Sequence, residues 1–183
     1  MDVQILTQQT PNPNAKKFVI NKPVKTEGKI TYHSQEECFN NLLAHDLFGV
    51  AHVVSLHFYD NVITVTQDGK GDWENVEWLV KAIVETRLPI HNPDFKEAPE
   101  TKEKPKDRDP ELNKIDDILD QTIRPGLQMD GGDLELLGLE NEILTIRYEG
   151  ACGSCPSATM GTLHAIETIL RENYSPTIRV NVY

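Results

Sequence analysis

Two cysteines in the last quarter of the chain have the spacing of metal ligands. Cys152 and Cys155 lie in the segment EGACGSCPSATM, residues 149–160, and Pro156 follows the second cysteine directly. Thiolates at this C-x-x-C spacing bind zinc or iron–sulfur clusters, and the same spacing occurs in proteins that exchange dithiols with disulfides. The candidate chemistries are therefore metal binding and dithiol redox exchange.

The cysteines fall at a predicted junction between a strand and a helix. Residues 142–148, EILTIRY, are rich in β-forming residues and predict a strand, and Pro156 predicts the first residue of a helix. A helix N-terminus offers free backbone N–H groups and the positive end of the helix dipole, which favour thiolates and the anionic clusters they bind. Gly150 and Gly153 let the backbone approach a bound group closely.

Two thiolates do not complete the coordination of a metal centre. Zinc and 4Fe–4S clusters generally take four ligands. His164 lies nine residues past Cys155, at least two helical turns away, and Cys38 lies more than a hundred residues upstream. The simplest arrangement is a homodimer in which each chain donates Cys152 and Cys155 to one centre on a two-fold axis.

Two alternatives stay open from the residues alone. A thioredoxin-like dithiol redox protein also places C-x-x-C at a helix start, and residues 175–177, SPT, resemble the cis-proline loop of that fold. However, the segment between Cys155 and Pro176 has room for one helix, whereas that fold needs a further helix and strand. A structural zinc site that bridges two chains would use the same four thiolates.

Composition excludes several other classes of protein. The chain has 183 residues, of which 38% are hydrophobic and 26% charged, and its net charge of −11 argues against a nucleic-acid partner. No apolar run approaches the roughly 20 residues of a membrane span, and the first residues lack the pattern of a secretory signal. Three cysteines do not make a disulfide framework. We therefore expect a cytoplasmic protein.

A charged, proline-rich segment divides the chain into two predicted domains. Residues 93–110 contain four prolines and 11 charged residues, which is typical of a flexible linker. We predict an α+β protein of two small α/β-sandwich domains: residues 1–92 with an antiparallel-rich sheet, and residues 111–183 in the order α-β-β-α-β. The net charge is −3 over residues 1–92 and −7 over residues 111–183.

Local signals predict the main elements of the N-terminal domain. Ser34, with Glu37 three residues later, forms a capping box and predicts the start of a helix. Two β-rich runs flank Asp60 and Asn61, which predicts a hairpin. Asp72 predicts the N-cap of the last helix, in which Trp73 and Trp78 are expected to pack. The apolar face of that helix is predicted to comprise Val76, Leu79, Val80, Ile83 and Val84.

The same kind of signal predicts the elements of the C-terminal domain. Asp109 and Pro110 predict the start of a helix that ends before Pro125. Residues 129–133, MDGGD, predict a turn in which glycines adopt positive φ and Asp side chains bond nearby backbone. The helix after the cysteines is predicted to direct inward Met160, Leu163, Ile166, Ile169 and Leu170.

Two sets of motifs resemble one known family. IRPGLQMDGGDLELLG, residues 123–138, followed by GACGSCPSATMGTL, residues 150–163, resembles the C-terminal domain of the NifU/Nfu iron–sulfur assembly proteins. TPNPNAKKFVINKPV, residues 10–24, FGVAHVVSLHFYDNVITVTQ, residues 48–67, and DWENV, residues 72–76, resemble the N-terminal domain of the Nfu subgroup. Together these matches span most of the chain outside the linker.

The resemblance implies a specific function. It implies a 4Fe–4S cluster shared between the C-x-x-C motifs of two chains, and only Cys152 and Cys155 carry over as its ligands. It implies a scaffold or carrier, not an enzyme, that delivers clusters to apo-proteins and works with an upstream assembly scaffold. Since no mitochondrial presequence is visible, we expect a bacterial cytoplasmic protein in preference to a mature mitochondrial one. Cys38 is expected to be a packing residue.

Overall fold

The chain forms two compact units. A computed structural model describes residues 2–38, 40–96, 109–153 and 156–183, and for residues 156–159 it describes the backbone alone. The two units divide between residues 97 and 98. Each has its own hydrophobic core and its own sheet. The predicted α+β class, with two small α/β-sandwich domains, is confirmed.

The first unit is an antiparallel sheet with two helices. Its strands are β1 (Ile5–Gln9), β2 (Ala15–Ile20), β3 (Lys25–Tyr32), β4 (Val53–Asp60) and β5 (Val62–Gln67). They lie in the order β1-β2-β5-β4-β3, and every neighbouring pair is antiparallel. The helices are α1 (Leu42–Phe48) and α2 (Trp73–Arg87). The hairpin between β4 and β5 turns at Asp60 with a φ of 49°, as its sequence predicts.

One face of this sheet and the buried stripes of α1 and α2 form the core. Apolar residues alternate along the strands because successive side chains point to opposite faces. The largest buried side chains of the strands are Phe18, Ile20, Leu56, Phe58 and Ile63. The helices contribute Leu43, Leu47, Val76, Val80 and Val84 to the same cluster.

The helix predicted from Ser34 is divided into two pieces. Residues Glu36–Cys38 form a single 3-10 turn, and α1 begins only after Asn41, whose side chain accepts a hydrogen bond from the Ala44 N–H at 3.2 Å. The Glu37 carboxylate accepts a hydrogen bond from the His33 N–H, at 2.7 Å, one residue before the N–H that a capping box at Ser34 would use. The prediction was wrong because Asn41 supplies a second cap within the predicted helix.

Cys38 lies at the end of that turn and is a packing residue, as expected. It is 1% exposed, and its thiol donates a hydrogen bond to the Ser34 carbonyl at 3.3 Å. Burial, with the nearby carboxylates of Glu37 and Glu36, raises the pKa of Cys38 to about 12. The thiol is therefore protonated at neutral pH.

Helix α2 begins as predicted, but its outer face differs. The Asp72 side chain accepts a hydrogen bond from the Glu74 N–H at 3.2 Å, which confirms the N-cap. Trp73 packs on the core and donates its indole N–H to the Pro13 carbonyl. The predictions for Trp78 and Leu79 were wrong, since they are 69% and 38% exposed. Helical periodicity indicates which residues lie on the apolar side of a helix, but it does not indicate which of those positions the sheet covers.

A carboxylate on α2 ties this helix to the edge of the sheet. Glu77 accepts hydrogen bonds from Thr7 at 2.7 Å, Lys81 at 2.7 Å and Lys16 at 3.1 Å. Burial opposes the ionisation of Glu77, but the hydrogen bonds from Lys81, Thr7 and Lys16 outweigh burial and lower its pKa to about 2. The ionised carboxylate therefore contributes to the stability of the first unit.

The first residues of the predicted linker contact the first unit. The Thr26 N–H donates to the Pro93 carbonyl at 3.1 Å, and the Lys25 ammonium donates to the Phe95 carbonyl at 3.0 Å. That ammonium also lies 4.6 Å from the centre of the Phe95 ring. Residues 97–108 lie outside the described residues, so the linker and its boundaries stay predictions.

The second unit places helices on one face of a three-stranded sheet. Its strands are β6 (Gly132–Glu140), β7 (Ile143–Gly150) and β8 (Arg179–Val182), and its helices are α3 (Pro110–Thr122), α4 (Arg124–Met129) and α5 (Pro156–Asn173). Strands β6 and β7 pair antiparallel, whereas β7 and β8 pair parallel. The most deeply buried side chains of its core are Ile115, Leu119, Leu134, Leu144, Ile146, Ile166, Leu170 and Ile178.

Two details of this unit differ from the predictions. The order α-β-β-α-β gains a short helix, α4, because Pro125 stands in the first turn of a new helix, where proline is tolerated. Met160 is 78% exposed and does not point inward, whereas Ile166 and Leu170 are buried as predicted. Among the described helices of the chain, none combines the length and apolarity that a bilayer span requires.

Candidate metal centre

The predicted cysteine loop lies between a strand and a helix. Strand β7 ends at Gly150, and α5 begins at Pro156. Gly150 has a φ of +62°, a conformation that glycine adopts without steric strain. Three residues later, the Gly153 N–H donates a hydrogen bond to the Gly150 carbonyl at 3.2 Å. Cys152 is described, whereas Cys155 lies outside the described residues. Their use as a pair of ligands therefore stays a prediction.

The sulfur of Cys152 is buried against the turn that precedes β6. Cys152 is 7% exposed. A Cβ atom added to Gly132 would lie 2.4 Å from the Cys152 Sγ and 2.9 Å from the Glu149 carbonyl oxygen. The Ala151 N–H donates to the Gly131 carbonyl at 3.0 Å. Gly131 and Gly132 are thus packed against the cysteine loop. A glycine is required at position 132 because the Cys152 sulfur and the Glu149 carbonyl leave no room for a Cβ atom, and not because the backbone has a positive φ there.

A partly buried arginine, Arg124, links α3 and α4 to the start of β6 next to this contact. Arg124 pairs with Asp116, with Asp120 at 2.6 Å and with Asp133 at 3.2 Å, and it donates to the Leu134 carbonyl at 3.1 Å. Asp133 is 1% exposed and also accepts from the Leu134 N–H at 2.7 Å. As the sequence predicts, this carboxylate bonds nearby backbone. It also links α3 and α4 to the strand that carries Gly132.

A tyrosine hydroxyl is buried beside the loop. Tyr148 on β7 is 6% exposed and lies opposite Leu134 in the register of the sheet. Burial raises the pKa of Tyr148 to about 12, and the nearby Cys152 adds to that rise. Within the part of the chain that the structure describes, the Tyr148 hydroxyl oxygen has no hydrogen-bond partner.

The order of elements after the cysteine loop differs from that of a thioredoxin-like fold. A single helix, α5, lies between residues 156 and 178, so the second unit lacks the additional helix and strand of a thioredoxin-like fold at that point. Among the described residues no group of three His, Cys, Asp or Glu side chains could hold a metal ion. His164 is exposed on α5.

Sequence reasoning missed three features of the site. It interpreted Gly132 as a turn residue, because its contact with Cys152 joins residues far apart in the chain. It did not single out Arg124, although an arginine next to a helix-starting proline and close to several aspartates was a signal. Tyr148 continues the alternation of buried residues along β7, which gave no indication that its hydroxyl would be without a partner.

Comparison with protein families matches both units. Residues 5–89 match the family described as the scaffold protein Nfu/NifU N terminal. Residues 115–181 match the family described as the NifU-like domain. The two matches occur in this order along the chain and leave the predicted linker between them.

Curated relatives cover most of this chain. A human protein named NFU1 iron-sulfur cluster scaffold homolog, mitochondrial, is 32% identical over 172 residues, which are 91% of this chain and 66% of that protein. The Arabidopsis thaliana NifU-like protein 5, mitochondrial, is 30% identical over 91% of this chain and 62% of its own length. The chain therefore spans slightly less than two thirds of these relatives.

Solved structures are also similar to parts of this chain. The solution structure of a NifU-like protein from Saccharomyces cerevisiae is 24% identical, covers 50% of this chain and 82% of its own, and gives a TM-score of 0.44. A crystal structure of a Staphylococcus aureus protein is 25% identical over 46% of this chain and all of its own, with a TM-score of 0.41.

The expected location was wrong. The relatives from human and Arabidopsis thaliana are named mitochondrial proteins, and this finding overturns the expectation of a bacterial cytoplasmic protein. The error has a physical reason. A targeting segment is an address read by a receptor, separate from the folded domains, so composition and fold do not determine the compartment.

Proposed function

Since this chain belongs to the Nfu/NifU-like family of iron–sulfur cluster scaffold proteins, we propose that it holds a 4Fe–4S cluster between the Cys152 and Cys155 thiolates of two chains and delivers that cluster to apo-proteins. The scaffold role is that of the family. The cluster type, its ligands, its sharing between chains and its delivery are the proposal. The cluster is cargo here, not a resident cofactor, and the chain itself performs no catalysis.

The observation that carries the proposal is the packing of Cys152 on Gly132. The close approach of Sγ to the turn fixes the sulfur before any metal arrives. A ligand held in place loses less conformational freedom on binding. Helix α5 begins four residues later, and the dipole at a helix N-terminus favours an anionic cluster at this end of the unit.

The number of thiolates supports a homodimer joined by the cluster. A 4Fe–4S cluster takes four cysteine ligands, and the loop of one chain contains two cysteines. Cys38 does not make up the number, because it is 1% exposed and its pKa is raised to about 12. A second copy of the loop, related by a two-fold axis, supplies the missing pair.

Charge supports release of the cluster. Residues 111–183 carry 12 acidic and five basic side chains, a net of −7, so a dimer would bring two acidic domains to one anionic cluster. Their repulsion opposes tight retention. Delivery then proceeds by ligand exchange: thiolates of an apo-protein replace those of Cys152 and Cys155, and the cluster leaves whole. An upstream assembly scaffold supplies the cluster by the same exchange, within the compartment of the mitochondrial relatives.

Anaerobic reconstitution tests this proposal. The purified chain is incubated with ferrous iron and sulfide, desalted, and examined by visible absorption, iron and sulfide analysis, and light scattering. We expect a brown dimer with one cluster per two chains. The Cys152→Ser/Cys155→Ser variant should stay colourless and monomeric, whereas the matched control Cys38→Ser should load normally, because Cys38 belongs to the other unit.

Three outcomes would contradict the proposal. A loaded monomer would exclude the shared cluster. Full iron and sulfide in the double serine variant would exclude the loop as the site. A colourless dimer with stoichiometric zinc after purification without added metal, unchanged on reconstitution, would favour the structural zinc alternative.

A further inference from the structure

The Tyr148 side chain is buried in a way that a core residue alone does not require. It is 6% exposed, and its hydroxyl has no hydrogen-bond partner in the described parts of the chain. Buried polar groups in native proteins are almost always paired, because an unpaired hydroxyl loses its hydrogen bonds to water without replacement. A phenylalanine would fill the same space without this penalty. The presence of a hydroxyl group at this position therefore calls for an explanation beyond core packing.

The register of the sheet puts Tyr148 on the same side as the Cys152 sulfur. Tyr148 pairs with Leu134, and the next pair on the same face is Gly150 with Gly132. A Cβ atom built on Gly132 would point to this face and would lie 2.4 Å from the Cys152 Sγ, so the sulfur lies on the same face. The sulfur thus lies over the position in the sheet adjacent to Tyr148, and both residues belong to the same buried cluster.

We propose that the Tyr148 hydroxyl is a cluster-binding group, which donates a hydrogen bond to an anionic sulfur of the iron–sulfur cluster that Cys152 holds. This inference rests on the proposed function. A neutral tyrosine carries one O–H donor, and the described protein offers it no acceptor. The cluster and its thiolates bring several anionic sulfur acceptors to this position.

Such a contact has a defined effect on the cargo. Hydrogen bonds to cluster sulfurs offset negative charge, stabilise the more reduced state and raise the reduction potential. A hydrogen bond to a charged acceptor is stronger than one between neutral groups. Tyr148 therefore opposes release of the cluster, and it does so only when the cluster is present.

The test is the variant Tyr148→Phe, which removes one oxygen atom and keeps the ring. The matched control is Tyr174→Phe in the same unit, because the Tyr174 hydroxyl donates to the Glu111 carboxylate at 2.8 Å and is already paired. Both variants and the wild type are reconstituted in the full chain. Three quantities are measured: the reduction potential of the cluster, its rate of transfer to an iron chelator, and the urea midpoint of the apo-protein.

For Tyr148→Phe we expect a more negative potential and about tenfold faster loss of the cluster, the scale of one charge-assisted hydrogen bond. Its apo-protein should unfold at the same or a higher urea concentration than the wild type, since an unpaired buried hydroxyl has been removed. Tyr174→Phe should leave the potential and the rate of transfer unchanged.

Each failure has a separate meaning. If the wild type does not load, or loads equally without the two loop cysteines, the proposed function fails and this inference fails with it. If the wild type loads at the cysteines but Tyr148→Phe has the same potential and transfer rate, only the role of Tyr148 is refuted. A less stable apo-protein in Tyr148→Phe also refutes it, because the hydroxyl would then have a partner without the cluster.

Discussion

Replacing Gly132 by alanine tests whether the fold fixes the position of the Cys152 sulfur. The added Cβ would lie 2.4 Å from Sγ, 3.0 Å from Cβ of Cys152 and 2.9 Å from the Glu149 carbonyl oxygen. Ordinary contacts between such atoms lie near 3.5–4.0 Å, so the sulfur or the turn must move by more than about 1 Å. Since the Glu149 oxygen is a backbone atom, a change of side-chain rotamer alone does not relieve the contact.

The size of the effect follows from two opposing contributions. Forcing an extra methyl group into a packed core lowers the free energy of unfolding by about 1–3 kcal/mol. Replacing glycine restricts the unfolded chain and returns about 0.4–1 kcal/mol. We expect a net loss of about 1–2 kcal/mol in the apo-protein. The displaced thiolate should also weaken cluster retention by about tenfold or more, because ligand groups need placement to within about 0.5 Å.

Urea unfolding of the apo-protein and transfer of the cluster to a chelator measure these two effects. Gly138→Ala is the matched control: it lies on the same strand, its added Cβ would meet nothing within 4 Å, and neither glycine has a positive φ. The control should be neutral or stabilising. The reasoning is refuted if Gly132→Ala is as stable and retains its cluster as long as the control. Adding Cys152→Ala should recover part of the lost stability, since it removes the sulfur from the contact.

Three further predictions concern other parts of the chain. Arg124→Met leaves the buried carboxylates of Asp116 and Asp133 without their cation and should lower the free energy of unfolding by about 3–5 kcal/mol in urea titrations; a loss under 1 kcal/mol would contradict the buried network. Because the folded pKa of Glu77 is held at about 2, below the unfolded value, its contribution is present above about pH 4.5 and is lost as the pH falls towards 2; Glu77→Gln should flatten that part of the stability profile, and an unchanged slope would refute it. Deleting residues 1–92 should leave cluster assembly intact and slow transfer to an apo-protein, and equal transfer rates would exclude client recognition by that part.

Local chemistry made several elements predictable. The caps Asp72 and Asp109 act within two residues of their own position, so a short window of sequence contains the whole interaction. The turn at Asp60 is equally local. The junction between β7 and α5 was predictable because a run of β-forming residues ends just before a glycine, two cysteines and a proline.

Features that depend on distant contacts were not predictable. Gly132 is required because Cys152 packs on it from another part of the chain, and no local pattern contains that information. The exposure of Trp78 and Met160 depends on where the sheet ends beneath each helix, whereas periodicity reports only that a face is apolar. Arg124 pairs with two carboxylates from α3 and one from β6, and these become neighbours only in the folded unit.

The burial of Cys38 leaves the first unit without a reactive thiolate among its described residues. Burial, with the carboxylates of Glu37 and Glu36, raises its pKa to about 12, so the thiol is protonated at neutral pH. Oxidants, alkylating reagents and metal ions react with the thiolate form of cysteine, so they are expected to react only slowly with Cys38. Of the three cysteines of the chain, the other two, Cys152 and Cys155, both belong to the loop of residues 152–155. An alkylation time course on the intact protein therefore reports on the loop alone, without background from the other half of the chain.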